Sequence, residues 1–301
     1  MIFTYPITEQ ENNKTIDQFL RDKGYSRRLL IDLKSKDDGI LVDGVKRFTN
    51  YPLQTGEKLV ITLPEEEDSE HITPVELPFD IIYEDEHFLA VNKPADMPIQ
   101  PSIHNYENTL ANAAAWHFKK QGIPFVYRCI NRLDRDTSGL VLLAKHSLSS
   151  CILSEMVKKR TLKRTYIAAC EGTITKKGTI DLPIGRLPGS VIMRCVDLEH
   201  GDRAVTHYEP IATEDNMTLL RIQLETGRTH QIRIHMGAIG HPLPGDYLYH
   251  PNYEKIGRQP LHSASLTFSH PITGEIFHLK APIPEDMKRL FPDFFAKPLQ
   301  S

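Results

Sequence analysis

The chain has 301 residues, 40% of them hydrophobic and 25% charged, a balance that supports a sizeable core, exceeds one typical domain and excludes a disordered chain. Lys and Arg number 36 against 39 Asp and Glu, a net charge of −3, so no global field draws nucleic acid and any such contact must come from local basic clusters. No apolar run approaches the length of a bilayer span, and Met1-Ile2-Phe3-Thr4-Tyr5-Pro6 passes straight into polar sequence, which points to a cytoplasmic protein with no membrane partner.

Thr15-Ile16-Asp17-Gln18 has the form of a capping box. Ile16, Phe19 and Leu20 follow at helical spacing and Gly24 supplies a stop, so a short helix is expected. A second begins at Ser26 with Leu29, Leu30 and Leu33 on one face; Gly39-Ile40-Leu41-Val42 reads as a strand entering the hairpin turn Asp43-Gly44, and Lys58 to Leu63 as the closing strand. Arg27 and Arg28 open the second helix, where the macrodipole disfavours cations. Phosphate contact accounts for them; the alternative is a solvated surface pair. Two short helices, basic residues opening the second, and a hairpin through Leu41-Val42-Asp43-Gly44-Val45 resemble the αL RNA-binding motif of ribosomal small-subunit protein four over about residues 13–63.

Glu65, Glu66, Glu67, Asp68 and Glu70 form an acidic run ending near Pro74, a composition suited to an exposed, self-repelling linker. It divides the chain into a domain over 1–64, a linker over 65–78 and a larger domain over 79–301. The larger domain opens with two β-rich runs, Phe79 to Tyr83 and His87 to Asn92, around the turn Glu84-Asp85-Glu86. Residues near 108–120 read as a helix, Leu140 to Ala144 as a buried strand and Leu148 to Lys159 as a helix, and strands dominate from Tyr166 to Phe268. No repeat is visible and helices do not alternate regularly with strands, so the fold class is α+β. The four cysteines, Cys129, Cys151, Cys170 and Cys195, lack a C-x-x-C pair, which argues for reduced thiols and against a zinc ribbon or disulfide framework.

Three stretches can carry chemistry. Asn131-Arg132-Leu133-Asp134-Arg135-Asp136-Thr137-Ser138-Gly139 is a charged turn directly before the apolar strand. Asp136 to Gly139 read as a turn bonding its own backbone. Asp134 stands between two arginines whose charges favour an ionised carboxylate, as a nucleophile or general base requires. Thr226-Gly227-Arg228-Thr229-His230-Gln231-Ile232-Arg233-Ile234-His235 alternates at its end, so a strand would place Gln231, Arg233 and His235 on one face. His230 and His235 would then lie on opposite faces, and no H-E-x-x-H pattern occurs, so no metal site is expected. Lys158-Lys159-Arg160 with Lys163-Arg164 is the densest basic cluster; it either grips phosphates or is a solvated helix end.

Together these stretches resemble the RluA-type family of pseudouridine synthases, in its two-domain, RluD-like form. The resemblance rests on Asn131-Arg132-Leu133-Asp134 with Thr137-Ser138-Gly139, on Lys93-Pro94, on Arg164-Thr165-Tyr166-Ile167-Ala168 and on Gly227 to Arg233. It continues in Gly240-His241-Pro242, Gly245-Asp246, Leu261-His262 and Ser269-His270-Pro271, spanning about residues 79–285. Two positions depart from the pattern: Asn131 replaces the more usual histidine, and Asp96 stands where the family often has glycine.

The resemblance implies a mixed, mainly antiparallel bent sheet with flanking helices and a catalytic cleft. It implies Asp134 as catalytic aspartate, Tyr166 as the tyrosine against the uracil, Arg233 as the ion-pair partner of Asp134, and Arg132 as a side chain intruding into RNA. Arg27, Arg28, Lys158, Lys159, Arg160, Arg228, His230 and Gln231 are further candidate RNA contacts. The implied reaction isomerises uridine to pseudouridine without net redox change, so no cofactor or metal is expected. Ribosomal RNA of the large subunit is the expected partner and transfer RNA the second, with the protein acting as a monomer. A zinc deaminase would need a P-C-x-x-C signature that is absent, and a paired-carboxylate glycosidase a second acid beside Asp134. A non-catalytic RNA-binding or ribosome-assembly factor is the other reading.

Overall fold

The computed structural model describes residues 1–103 and 105–296. In the N-terminal part, α1 (Ile16–Asp22) starts at Thr15, whose hydroxyl accepts the Gln18 N–H while Gln18 returns a bond to the Thr15 N–H. The first turn of α2 (Arg27–Lys34) is capped by Ser26, which accepts the Leu29 N–H. Both helices bury their expected apolar faces. They pack on an antiparallel sheet of β1 (Ile2–Pro6), β4 (Lys58–Thr62), β2 (Ile40–Val42) and β3 (Val45–Lys46), in that spatial order. The β2–β3 turn has positive φ at both Asp43 (48°) and Gly44 (80°), as a primed hairpin turn requires. Sequence reading did not anticipate β1. It is an edge strand with one half-buried face, Phe3 and Tyr5 packing against the core of this part, and it is held by its ladder to β4.

In the larger part, β5 (Asp80–Glu84) and β6 (Phe88–Lys93) form the expected hairpin, followed by α3 (Leu110–Lys120), β7 (Ser138–Ala144) and α4 (Ser147–Lys158). Next come β8 (Lys163–Glu171), β9 (Gly178–Asp181), the small pair β10 (Ile184–Arg186) and β11 (Arg194–Val196), and the long hairpin β12 (Val205–Glu214) and β13 (Met217–Leu224). The chain ends its described course with α5 (Gln231–Ala238), β14 (Leu261–Ser269), β15 (Ile276–Lys280), α6 (Glu285–Lys288) and α7 (Pro292–Phe295). The main sheet runs β5-β6-β7-β14-β8-β13-β12-β9, with β15 also on β14. Among the described residues only β7–β14 is parallel; every other strand pair is antiparallel.

Strict alternation sorts the central strands between two cores. Leu89, Val91, Val141 and Leu143 join Leu110, Ala114 and Phe118 of α3 on one face, whereas Phe88, Ala90, Leu140 and Leu142 join Leu153 of α4 on the other. Burial on both faces is why Leu140 to Ala144 reads as an unbroken apolar run.

The N-terminal part docks on α4. Leu148 completes its core, and the Phe3 and His146 rings lie 5.7 Å apart. At Gly24 (φ 92°) a Cβ would sit 2.6 Å from Ile152 Cγ1, so the α1–α2 turn and α4 approach closely because a side chain is missing. The acidic run is tethered at two points, Arg128 donating to Glu66 at 2.6 and 2.9 Å and the Phe125 N–H donating to Asp68 at 2.8 Å, while Glu65, Glu67 and Glu70 stay exposed.

A second correction concerns residues 231–238, which form a helix and not a strand. Every residue from Gln231 to Met236 is buried. Ile232 and Met236 face the main core and Ile234 the β10–β11 side. With all directions buried, the polar–apolar alternation over five residues reports internal partners and not a solvated face.

Candidate active site

The loop before β7 is built from backbone anchors. Asn131 is buried, its Nδ2 donating to Leu140 O at 3.0 Å and its Oδ1 accepting the Leu142 N–H at 2.9 Å, so its amide continues the ladder along β7. The Thr137 N–H closes on Asp134 O at 3.1 Å. Lys93, fully buried, donates to Pro94 O, Met97 O and Arg135 O at 2.7, 2.8 and 2.8 Å. Burial pushes its ammonium down to about 7, with Asp136 and Asp134 opposing. At Gly139 (φ 109°) a Cβ would lie 2.3 Å from Ser263 O, so only glycine lets β7 meet β14 here. The expected self-bonded turn after Asp134 is different in detail. Asp136 takes Arg135, Ser138 pairs with His262, and Ser138 and Gly139 already belong to β7.

Asp134 itself is half-buried, and neither flanking arginine holds it. Arg135 is turned to Asp136, at 3.0 Å from each oxygen, and Arg132 is exposed at the cleft mouth. The partner is Arg233 on α5, whose Nη1 lies 2.9 Å from Asp134 Oδ2. The rest of that guanidinium is gripped by Asp246, with Nε and Nη2 each 2.6 Å from a carboxylate oxygen. Burial works against the charge of Arg233, and Asp246 with Asp134 outweighs it, so the guanidinium stays charged.

Around this pair lies a cleft of about 230 Å³, lined by Asp134, Arg132, Tyr166, Arg164, His230 and Arg233 among others. Tyr166 sits on β8 between Ile222 of β13 and Ser263 of β14. Burial raises its pKa above the ordinary phenol range, with Arg164 pulling it back, so the hydroxyl keeps its proton. His230 begins α5 in a left-handed conformation (φ 58°), its Nδ1 2.8 Å from the Tyr249 hydroxyl and its Nε2 4.0 Å from Asp134 Oδ1. Burial lowers its pKa, against the pull of Asp134. One oxygen of Asp134 is thus bound by a fixed cation while the other faces the cleft.

The RNA pseudouridylate synthase family matches residues 87–238, a span that contains Asp134, Tyr166 and Arg233. The uncharacterized RNA pseudouridine synthase YjbO of Bacillus subtilis (strain 168) is 42% identical over 92% of this chain and 98% of its own length. The chain belongs to the RNA pseudouridylate synthase family. The synthase is therefore an RNA isomerase. It is also 35% identical, over 95% of this chain and 92% of that one, to the ribosomal large subunit pseudouridine synthase D of Escherichia coli O157:H7. Human RNA Pseudouridylate Synthase Domain Containing 1 superposes with a TM-score of 0.58 at 24% identity, covering 73% of this chain and 96% of that one, which shows a shared fold.

The other sequence-derived contacts of the synthase fall into distinct settings. Arg228 lines the cleft but is tied to Asp202 at 3.0 Å and to Arg203 O at 3.2 Å. The Gln231 amide is spent inside the fold: its oxygen accepts Thr226 Oγ1–H and the Arg228 N–H, and its nitrogen donates to Val205 O and Thr206 Oγ1. That geometry gives Gln231 the task of holding the turn before α5, in place of the RNA contact expected for it. Lys158 and Lys159 are exposed at the end of α4, 3.7 and 3.6 Å from Glu155, and Arg160 lies 3.3 Å from Glu225. Arg27 and Arg28 are exposed, with no ion-pair partner among the described residues. Sequence reasoning gave no role to Asp246, Tyr249 or Lys93 and placed Arg164 only in the basic cluster, although Asp246 stands in the quoted Gly245-Asp246 pair. A carboxylate that acts by gripping an arginine across a fold leaves no local signal.

Proposed function

We propose that the synthase modifies uridines of large-subunit ribosomal RNA, with Asp134 as the catalytic carboxylate, Tyr166 as the ring against the uracil and Arg233 as the group that orients Asp134. The observation that carries the catalytic reading is the asymmetry of Asp134: Arg233 Nη1 holds Oδ2 at 2.9 Å while Oδ1 accepts no hydrogen bond among the described residues, with His230 Nε2 4.0 Å away. A free carboxylate oxygen beside a buried aromatic ring, in a cleft of single-nucleoside size, suits attack at the sugar's anomeric carbon or removal of the neighbouring sugar proton. The N1–C1′ bond breaks, the uracil turns, a C5–C1′ bond forms, and the proton lost at C5 is balanced by one gained at N1. Composition is unchanged, so no oxidant, hydrolytic water or cofactor enters the balance.

The target nucleotide must leave its stack to reach this cleft, at a cost of a few kcal/mol. Arg132 at the cleft mouth fills the vacated place. Lys158, Lys159 and Arg160 lead along the end of α4 toward residues 1–64, which act as an αL-type RNA-binding domain with Arg27 and Arg28 on phosphates. The linker over 65–78 joins it to the catalytic domain over 79–301. The synthase acts in the cytoplasm as a monomer.

The ribosomal substrate is supported by the relatives named ribosomal large subunit pseudouridine synthase D. Chemical mapping of pseudouridine in total RNA, from cells carrying the wild-type protein, none, or Asp134→Ala, tests both assignments. Sites absent from both deficient strains and lying in large-subunit RNA support the proposal. Lost sites confined to transfer RNA reject the substrate, and sites retained with Asp134→Ala reject the catalytic residue and favour a factor that binds RNA.

A further inference from the structure

The turn that carries Asp134 has a cavity on each side. Asp134 lines the catalytic cleft, whereas Arg135 and Asp136 line a second cavity of about 610 Å³ whose far wall includes Tyr247. Tyr247 directly follows the Asp246 that grips Arg233, so the second cavity is joined to the catalytic cleft through the 134–136 turn and through the Asp246–Arg233 pair. We propose that this second cavity receives the base of a nucleotide adjacent to the target uridine, stacked on Tyr247 and read by Asp96. The inference rests on the RNA-modifying activity and adds a specificity site to it.

Tyr247 is 43% exposed and belongs to none of the hydrophobic cores; its ring also lies 5.7 Å from the Arg233 guanidinium, which Asp246 already holds. The guanidinium of Arg135 lies 5.2 Å from its ring centroid. An exposed aromatic ring with an arginine against it is the kind of platform on which single-stranded bases stack. Tyr249, two residues on, is engaged with His230 and Arg194 and has no such freedom.

Asp96 occupies a left-handed backbone position (φ 56°) that favours glycine. Its carboxylate is not what holds the turn, since the Met97 N–H and Lys93 both bond Arg135 O. The side chain is instead 87% exposed, with Oδ1 3.6 Å from Arg135 Nε. A carboxylate offers two acceptors and no donor. Guanine presents two adjacent N–H groups on its Watson–Crick edge and matches that fork; the other three bases put an acceptor beside their donor. Arg289, exposed and without an ion-pair partner among the described residues, lies on the same cavity as a phosphate anchor. Arg258 is different, being bound to Asp286 and to Asp136 O as part of the wall.

The test uses stem-loop transcripts with one loop uridine flanked by randomised nucleotides, and a matched set carrying 6-thioguanosine at each flank for cross-linking. The full-length protein is compared with Tyr247→Ala, Tyr247→Phe and Asp96→Gly, the last being a change the backbone favours. The expected result is a guanine preference at one flank that Asp96→Gly abolishes. Tyr247→Ala should raise KM roughly tenfold with kcat changed less than about threefold, and Tyr247→Phe should behave as wild type, because the ring does the stacking. Equal use of all flanking bases, unchanged kinetics in Tyr247→Ala, or product formation without cross-linking to Tyr247 would each overturn the subsite. A cross-link at Tyr247 without any pseudouridine would instead overturn the activity and leave the subsite standing, and the absence of both would overturn both.

Discussion

Arg233 presents two edges to two carboxylates: Asp246 takes Nε and Nη2 at 2.6 Å each, and only Nη1 is left to reach Asp134. The bidentate grip fixes the plane of the guanidinium, and that plane sets where Oδ2 of Asp134 sits. Asp246 touches no reacting atom and works through Arg233.

Asp246→Asn should therefore lower kcat about 10²-fold, the cost of misplacing a reacting group by about an ångström, with KM moved only a few-fold. The buried guanidinium also loses a charged partner, at about 3 kcal/mol of stability. Steady-state kinetics beside a urea titration check both numbers. A fall in kcat that merely tracks the unfolded fraction would make Asp246 structural only.

Gly139→Ala should destabilise the fold by about 3 kcal/mol or more, since it adds backbone strain at φ 109° to a Cβ lying 2.3 Å from Ser263 O. The shift should appear in the urea midpoint with an unchanged slope. A midpoint within experimental error of wild type would contradict the parallel β7–β14 contact.

The His146 side chain is buried beside His87 and capped against α4, and burial holds its pKa down to about 3 from the ordinary 6.5, with His87 and Arg128 adding to the effect and Asp85 opposing. The folded state stays neutral while the unfolded chain takes up a proton below pH 6.5. Stability should thus be full above that value and fall toward pH 3, by up to about 1.4 kcal/mol per pH unit from this residue. His146→Asn keeps a capping side chain and removes the titration. Urea unfolding at pH 7.5, 6 and 5 should show a shallower acid loss in the variant; superimposable pH curves would show that His146 does not contribute.

Arg27→Ala and Arg28→Ala should each weaken RNA binding and reduce the slope of log affinity against log salt by about 1 if each residue contacts a phosphate. Neither should alter turnover at saturating RNA. Unchanged salt slopes would return the pair to a solvated surface of α2.

Much of this architecture is legible where the signal is local. Thr15 and Ser26 announce the starts of α1 and α2, Asp43-Gly44 announces its turn, and Leu140 to Ala144 shows its burial on two faces. Asp134 stands out as a carboxylate in a charged turn before a buried strand. What escapes is whatever depends on partners distant in sequence. Arg135 looks like an Asp134 neighbour but goes to Asp136, and the role of Asp246 exists only once α5 and the 245–249 turn meet. The helix over 231–238 was masked by a five-residue alternation whose polar members are all bonded internally. The tether within the acidic run escapes a local reading because Arg128, which pairs with Glu66, lies 62 residues beyond it.

The most direct measurement compares purified wild type with Asp134→Asn, an isosteric change, for pseudouridine formed in RNA lacking the modification and for affinity toward the same RNA. The variant should show no detectable turnover with affinity within about threefold of wild type, because phosphate contacts dominate binding. Turnover within about tenfold of wild type, or a collapse of affinity, would contradict the assignment of Asp134 as the catalytic carboxylate.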